Sequence, residues 1–142
     1  MSNWTHVAGI IRADAIRFDD NITEDLDKII GEECLWDSPK QVWWDACDNP
    51  DKYLPMGSEG SLQKSIWINP DKHSMDSYTI SIFGDLRDHD NIKEIIDWFK
   101  EKCKKLWVRN AVITVENEWY GTETWTWTGE EDDMDASDKS EV

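Results

Sequence analysis

Basic residues are scarce in this chain: 15 Lys and Arg stand against 31 Asp and Glu, a formal net charge of −16. Binding to DNA, RNA or anionic lipid works largely through Lys and Arg displacing counterions. Direct nucleic-acid binding and membrane-surface binding are therefore not expected. Long apolar runs are also missing, and nothing approaches the roughly 18 consecutive apolar residues of a membrane-crossing helix. The opening MSNWTHVAGIIRADAIRF has no basic n-region and is interrupted by Arg12, Asp14 and Arg17, so no secretory leader is expected. Cysteine is limited to Cys34, Cys47 and Cys103. No Cys-x-x-Cys pair occurs among them and no histidine is placed to complete a zinc finger, so free thiols in a reducing cytosol are expected.

Histidine is equally sparse, and the sites that would need it do not assemble in the sequence. His6 is followed by Val7-Ala8, His73 by Ser74-Met75 and His89 by Asp90-Asn91, so the paired His-x-Ser/Thr signature of two-histidine phosphoesterases is missing. GSEG at 57–60 lacks the lysine and following helix of a phosphate loop. RDHDN at 87–91 offers a histidine and two carboxylates to a metal, but it reads more simply as the polar entry to a helix. The pairs Glu32/Glu33 and Glu116/Glu118 are what chance places in so acidic a chain. No nucleophile elbow or dinucleotide fingerprint is present. No catalytic residue, metal ligand or cofactor is assigned, and a non-enzymatic protein is expected.

What is present is a repeat. FDDNITEDLDKIIGE and DHDNIKEIIDWFKEK share Asp-Asn-Ile-x-Glu, with Asn21 three residues before Glu24 and Asn91 three before Glu94. That is capping-box spacing. Ile22, Leu26, Ile29 and Ile30 then recur at helical intervals, as do Ile92, Ile95, Ile96, Phe99, Cys103 and Leu106. The lysines at 100, 102, 104 and 105 complement the dipole at the end of the second helix. Strand-like alternation precedes each helix. Val7, Gly9, Ile11, Ala13 and Ala15 alternate with His6, Ala8, Ile10, Arg12 and Asp14, and SYTISIFGD alternates Tyr78, Ile80 and Ile82 with Thr79, Ser81 and Phe83. SLQKSIWIN and RNAVITVENEW read as two more strands.

Residues 1–128 are expected to form one α+β domain with two additions. Residues 33–60 form an insertion after the first helix, long for a loop and rich in tryptophan; its stretch KQVWWDACDNPDKY shows neither helical nor strand periodicity. ENEWYGTETWTWT reads as a strand, a turn at Tyr120-Gly121 and a returning strand, a β extension with Trp125 and Trp127 on one face. Residues 129–142 carry seven acids against one lysine, −6 of the net charge, and are expected to be an acidic disordered tail.

The order β-α-(insertion)-β-β-α-β, in two similarly capped halves, resembles the ferredoxin-like split β-α-β sandwich. That resemblance implies an antiparallel sheet with two helices on one face, over residues 4 to about 118. The opening NWTHVAGIIR resembles the start of small phage- and prophage-encoded proteins of unassigned function. This second resemblance implies a bacterial cytoplasm and an accessory or counter-defence role, without enzyme chemistry.

Two sets of residues are candidates for function. In the insertion, Trp36, Trp43 and Trp44 either complete the core or leave an indole exposed as a partner anchor, ringed by Asp37, Asp45, Asp48 and Asp51 with Tyr53 nearby. On the sheet, Ile10, Arg12, Trp67 and Phe83 fall on the face away from the helices. The RNA-recognition consensus is not there. Cover for Trp67 and Phe83 is expected from the insertion, from the Trp125/Trp127 strand or from a second subunit of a homo-oligomer. The leading expectation is an acidic protein-binding module, a phage-type inhibitor engaging the basic nucleic-acid-binding surface of a host defence or regulatory protein. The alternative is an oligomer that sequesters a nucleotide signal in a pocket lined by indoles and Arg12.

Overall fold

The computed structural model describes residues 2–15, 22–34, 42–70 and 76–128, with the side chains of Ala15, Ile22, Thr23, Val42, Trp43, Trp44 and Asp76 outside that description. Five strands, β1 (Trp4–Ala15), β2 (Gln63–Ile68), β3 (Asp76–Arg87), β4 (Trp107–Asn117) and β5 (Gly121–Thr126), form one sheet in the order β2-β3-β1-β4-β5. Every neighbouring pair is antiparallel. The helices are α1 (Ile22–Ile30), α2 (Val42–Asp48) and α3 (Ile92–Lys104), with a 3-10 turn at Pro50–Lys52.

Alternation sorts the strand residues into two faces. Val7, Ile11, Ala13, Tyr78, Ile80, Ile82, Ile113 and Val115 are buried, and they share a core with Leu26 and Ile30 of α1 and Ile95, Phe99 and Cys103 of α3. Asn91 caps α3, its side-chain oxygen accepting from the Glu94 backbone N–H at 3.1 Å. Asn21, the matching residue of the repeat, lies outside the described residues. Gly9 allows α3 to approach closely, because a Cβ there would stand 3.1 Å from Phe99 Cε1 and 3.2 Å from Ile113 Cγ1. The end of α1 is tied to β2 by Lys64, whose ammonium pairs with Asp27 Oδ1 at 3.0 Å and donates to the Gly31 carbonyl.

The expected ferredoxin-like two-helix sandwich is corrected by this architecture. The described residues form a predominantly antiparallel five-stranded sheet with three short helices. The fifth strand is no appendage. It pairs with β4 from Asn117↔Gly121 to Val112↔Thr126, through a turn in which Asn117 Oδ1 accepts from Trp119 N at 2.8 Å and Tyr120 N at 3.0 Å. The third helix, α2, lies in the insertion read as lacking periodicity. Its support is tertiary: Ala46 is buried with Cys34 and Tyr53 in a satellite cluster. The ends of this unit are pinned by Glu32 N donating to Lys52 O at 3.0 Å and Leu54 N to Glu32 O at 2.9 Å. GSEG is a turn laid on the end of β3, with Ser58 N donating to Arg87 O at 2.8 Å and Arg87 N to Glu59 O at 3.0 Å. A Cβ at Gly57 or Gly60 would collide with the carbonyls of Arg87 or Asp85.

Candidate functional site

The sheet face opposite the core carries a regular grid set by strand register. One cross-strand row runs Gln63, Phe83, Ala8, Thr114, Thr124. The next runs Ser65, Ser81, Ile10, Val112, Thr126, and a third runs Trp67, Thr79, Arg12, Asn110. Phe83 is 45% exposed, Ile10 45%, Val112 37% and Trp67 55%, so no described element covers them. The remaining positions are mostly Ser and Thr, which suit a pleated, solvated surface. Phe83, Ile10, Val112 and Trp67 thus leave apolar side chains open in adjacent rows of the sheet.

One end of this face is acidic. His6 Nδ1 lies 2.6 Å from Asp85 Oδ1, and its Nε2 lies 3.9 Å from Glu118 Oε2. The hydrogen bond with Asp85 holds the His6 pKa above its ordinary value, helped by the charges of Glu118 and Glu116. Beside this cluster the β4–β5 turn presents Trp119, 58% exposed, and Tyr120, 66% exposed. Arg12 is exposed nearer the opposite end.

The sequence-derived candidates are dispersed. Ile10, Arg12, Trp67 and Phe83 share the open face as expected, but Trp125 and Trp127 are on the other side of the sheet. Both are partly buried against the core, Trp125 meeting Phe99 edge-on at a ring separation of 5.8 Å and Trp127 at 6.2 Å. They therefore give Trp67 and Phe83 no cover. In the insertion, Trp36 and Asp37 lie outside the described residues, as do the side chains of Trp43 and Trp44. Asp45 is engaged within the fold. It accepts from the Tyr53 hydroxyl and from Asn49 Nδ2 at 2.9 Å, and pairs with Lys52 at 3.3 Å. The Tyr53 hydrogen bond, with that from Asn49, depresses the Asp45 pKa and pushes the Tyr53 phenol up. Tyr53 is buried, whereas Asp48 and Asp51 are exposed. Val112, Trp119 and Tyr120 were missed from sequence. Strand parity through β4 would have found the first, and the Asn-initiated turn the other two.

Among the described residues no group of three or more His, Cys, Asp or Glu side chains is placed to hold a metal. No helix there is long and apolar enough to cross a membrane.

No protein-family model and no curated protein matches the chain. Two solved structures share its general course. A phage SAM lyase in its apo state superposes with a TM-score of 0.41 at 8% identity, over 89% of this chain and 90% of that one. A tripeptidase from Staphylococcus aureus gives 0.39 at 14% identity, over 91% of this chain and 31% of that one. The first neighbour is named as a phage protein, and both are named as enzymes. At these similarities neither supplies an activity to this chain.

Proposed function

We propose that this is an acidic protein-binding module that docks a basic partner protein through the open face of its sheet. The observation that carries the reading is the uncovered set Phe83, Ile10, Val112 and Trp67 on adjacent strands. Burial against a partner is the ordinary use of such a surface, and Trp is among the side chains that dominate interface energetics. The acids around His6 and the net charge of −16 favour a basic partner, because complementary charge steers association. The finer form of the proposal is a phage-type inhibitor covering the basic, nucleic-acid-binding surface of a host defence or regulatory protein in the bacterial cytoplasm.

The test uses the intact chain as bait against host lysate, beside variants Phe83→Ser and Trp67→Ala whose exposed positions spare the fold. A basic protein retained by the wild type and lost by both variants supports the reading. Equal retention by all three baits overturns docking through this face. Sedimentation of the purified chain covers the homo-oligomer: if the face instead buries itself against a second copy, self-association is lost in the same variants and the partner-protein reading fails.

A further inference from the structure

A separate feature lies on the other side of the molecule. Between α3 and residues 46–56 runs a cleft of about 630 Å³, within the size range of small-molecule sites. Its floor includes the apolar Leu54 and Ile95, both buried. The α3 wall is ordered by charge. At about 3.6 residues per turn, Lys102 is closest to the core, Trp98 next, and Glu101 and Asp97 outermost. Burial follows that order: Lys102 is only 8% exposed, Trp98 half-buried, and Glu101 and Asp97 exposed.

The inner groups lack partners among the described residues. The Lys102 ammonium makes no ion pair or side-chain hydrogen bond among the described residues. Among the described residues Trp98 Nε1 and His89 Nδ1 are buried without a hydrogen-bond partner, and both residues line the cleft. Burial, reinforced by Lys105, draws the Lys102 pKa down despite the opposing charge of Asp51. A buried polar group without a partner is unfavourable. Two such atoms, Trp98 Nε1 and His89 Nδ1, beside the Lys102 ammonium leave a place for an acceptor. A simple anion would meet repulsion at the rim from Asp51, Asp97 and Glu101, whereas a ligand with a positive group facing outwards would be attracted there.

We propose that this cleft binds a small zwitterion of the free amino-acid type, its carboxylate on Lys102 and the Trp98 indole N–H, its ammonium towards Asp97 and Glu101, and its side chain over Leu54 and Ile95. The site is independent of the open sheet face, and its failure would leave that reading untouched.

The test follows the Trp98 indole N–H resonance of the full-length protein by NMR, assigned by its loss in Trp98→Phe. The probes are L-phenylalanine, N-acetyl-L-phenylalanine, which lacks the positive charge, and L-phenylalaninamide, which lacks the carboxylate. L-Phenylalanine should shift the resonance saturably at millimolar concentration. Loss of a charge-assisted contact should leave either analogue about tenfold weaker. Lys102→Met should weaken L-phenylalanine by at least about tenfold while holding or raising the melting temperature, since a partly desolvated ammonium without an ion pair is replaced by an apolar side chain. A merely structural lysine would lower it. If Lys102→Met does not fold, the exposed double change Asp97→Asn/Glu101→Gln decides: it should weaken L-phenylalanine and narrow its advantage over the N-acetyl form. No saturable shift, equal affinity for all three probes, or binding indifferent to these variants would overturn the assignment.

Discussion

Asn91 shows how one side chain starts an element. Its oxygen satisfies one of the first-turn N–H groups that α3 cannot pair internally. Asn91→Ala is expected to lower stability by about 1 kcal/mol, read from urea unfolding with an unchanged m-value. His6 acts through pH. Its pKa is raised by Asp85, so the protonated form is the one the fold favours. The stabilisation is complete below the unfolded value of about 6.5 and fades as pH rises through the higher folded value. Thermal melts from pH 6 upward should therefore show a decline that is absent in His6→Gln. A parallel decline in both proteins would mean that another group is responsible. Asp45 was read from sequence as part of an acidic ring for a partner, yet its oxygens are occupied by Tyr53, Asn49 and Lys52. Residue type told its charge, and only folding told which groups would claim it.

At the scale of elements, two tryptophan strands behave oppositely because of parity. Trp125 pairs across from Ile113 on the core side, whereas Trp67 is on the open side across from Thr79. Trp125→Ala removes a partly buried ring packed on Phe99 and should destabilise by about 2–4 kcal/mol, somewhat less than a fully buried case. Trp67→Ala should change stability by no more than about 0.5 kcal/mol. Chemical denaturation of the two variants side by side checks the assignment of faces, and similar losses would refute it. Lys64 gives a second element-level expectation. Its ammonium joins Asp27 and the Gly31 carbonyl at the end of α1, and Lys64→Ala should cost about 1.5–3 kcal/mol. Faster hydrogen exchange confined to α1 would show that the loss is local to that junction.

For the whole molecule, charge and surface act together. A net charge of −16 repels nucleic acid and attracts basic proteins over distances set by ionic strength. Once a partner is in hand, raising the salt concentration should slow its association more than it speeds dissociation. Trp67→Ala should mainly raise the dissociation rate, with a binding loss of about 2 kcal/mol or more if it is a hot spot. Stopped-flow kinetics separates the two effects. A dissociation rate untouched by the variant would remove Trp67 from the interface.

The sequence by itself determined the local elements whose signals are short-range. Alternation in HVAGIIRADA and SYTISIFGD marked strands and their inner faces, and Asn-x-x-Glu marked the start of α3, because side-chain direction and capping depend on neighbours a few residues away. The open-face positions Ile10, Arg12, Trp67 and Phe83 followed from the same parity. Tertiary structure alone decided the rest. VWWDACD is helical in the company of Cys34 and Tyr53, Trp125 and Trp127 turn inward because β5 registers on β4, and the two-helix sandwich gives way to five strands and three helices. The cleft too was invisible, since Lys102 reads in sequence as one of several lysines complementing a helix end. Its place in the cleft is set only where residues 46–56 and α3 line one opening, segments about fifty residues apart, and no local pattern encodes a meeting at that range.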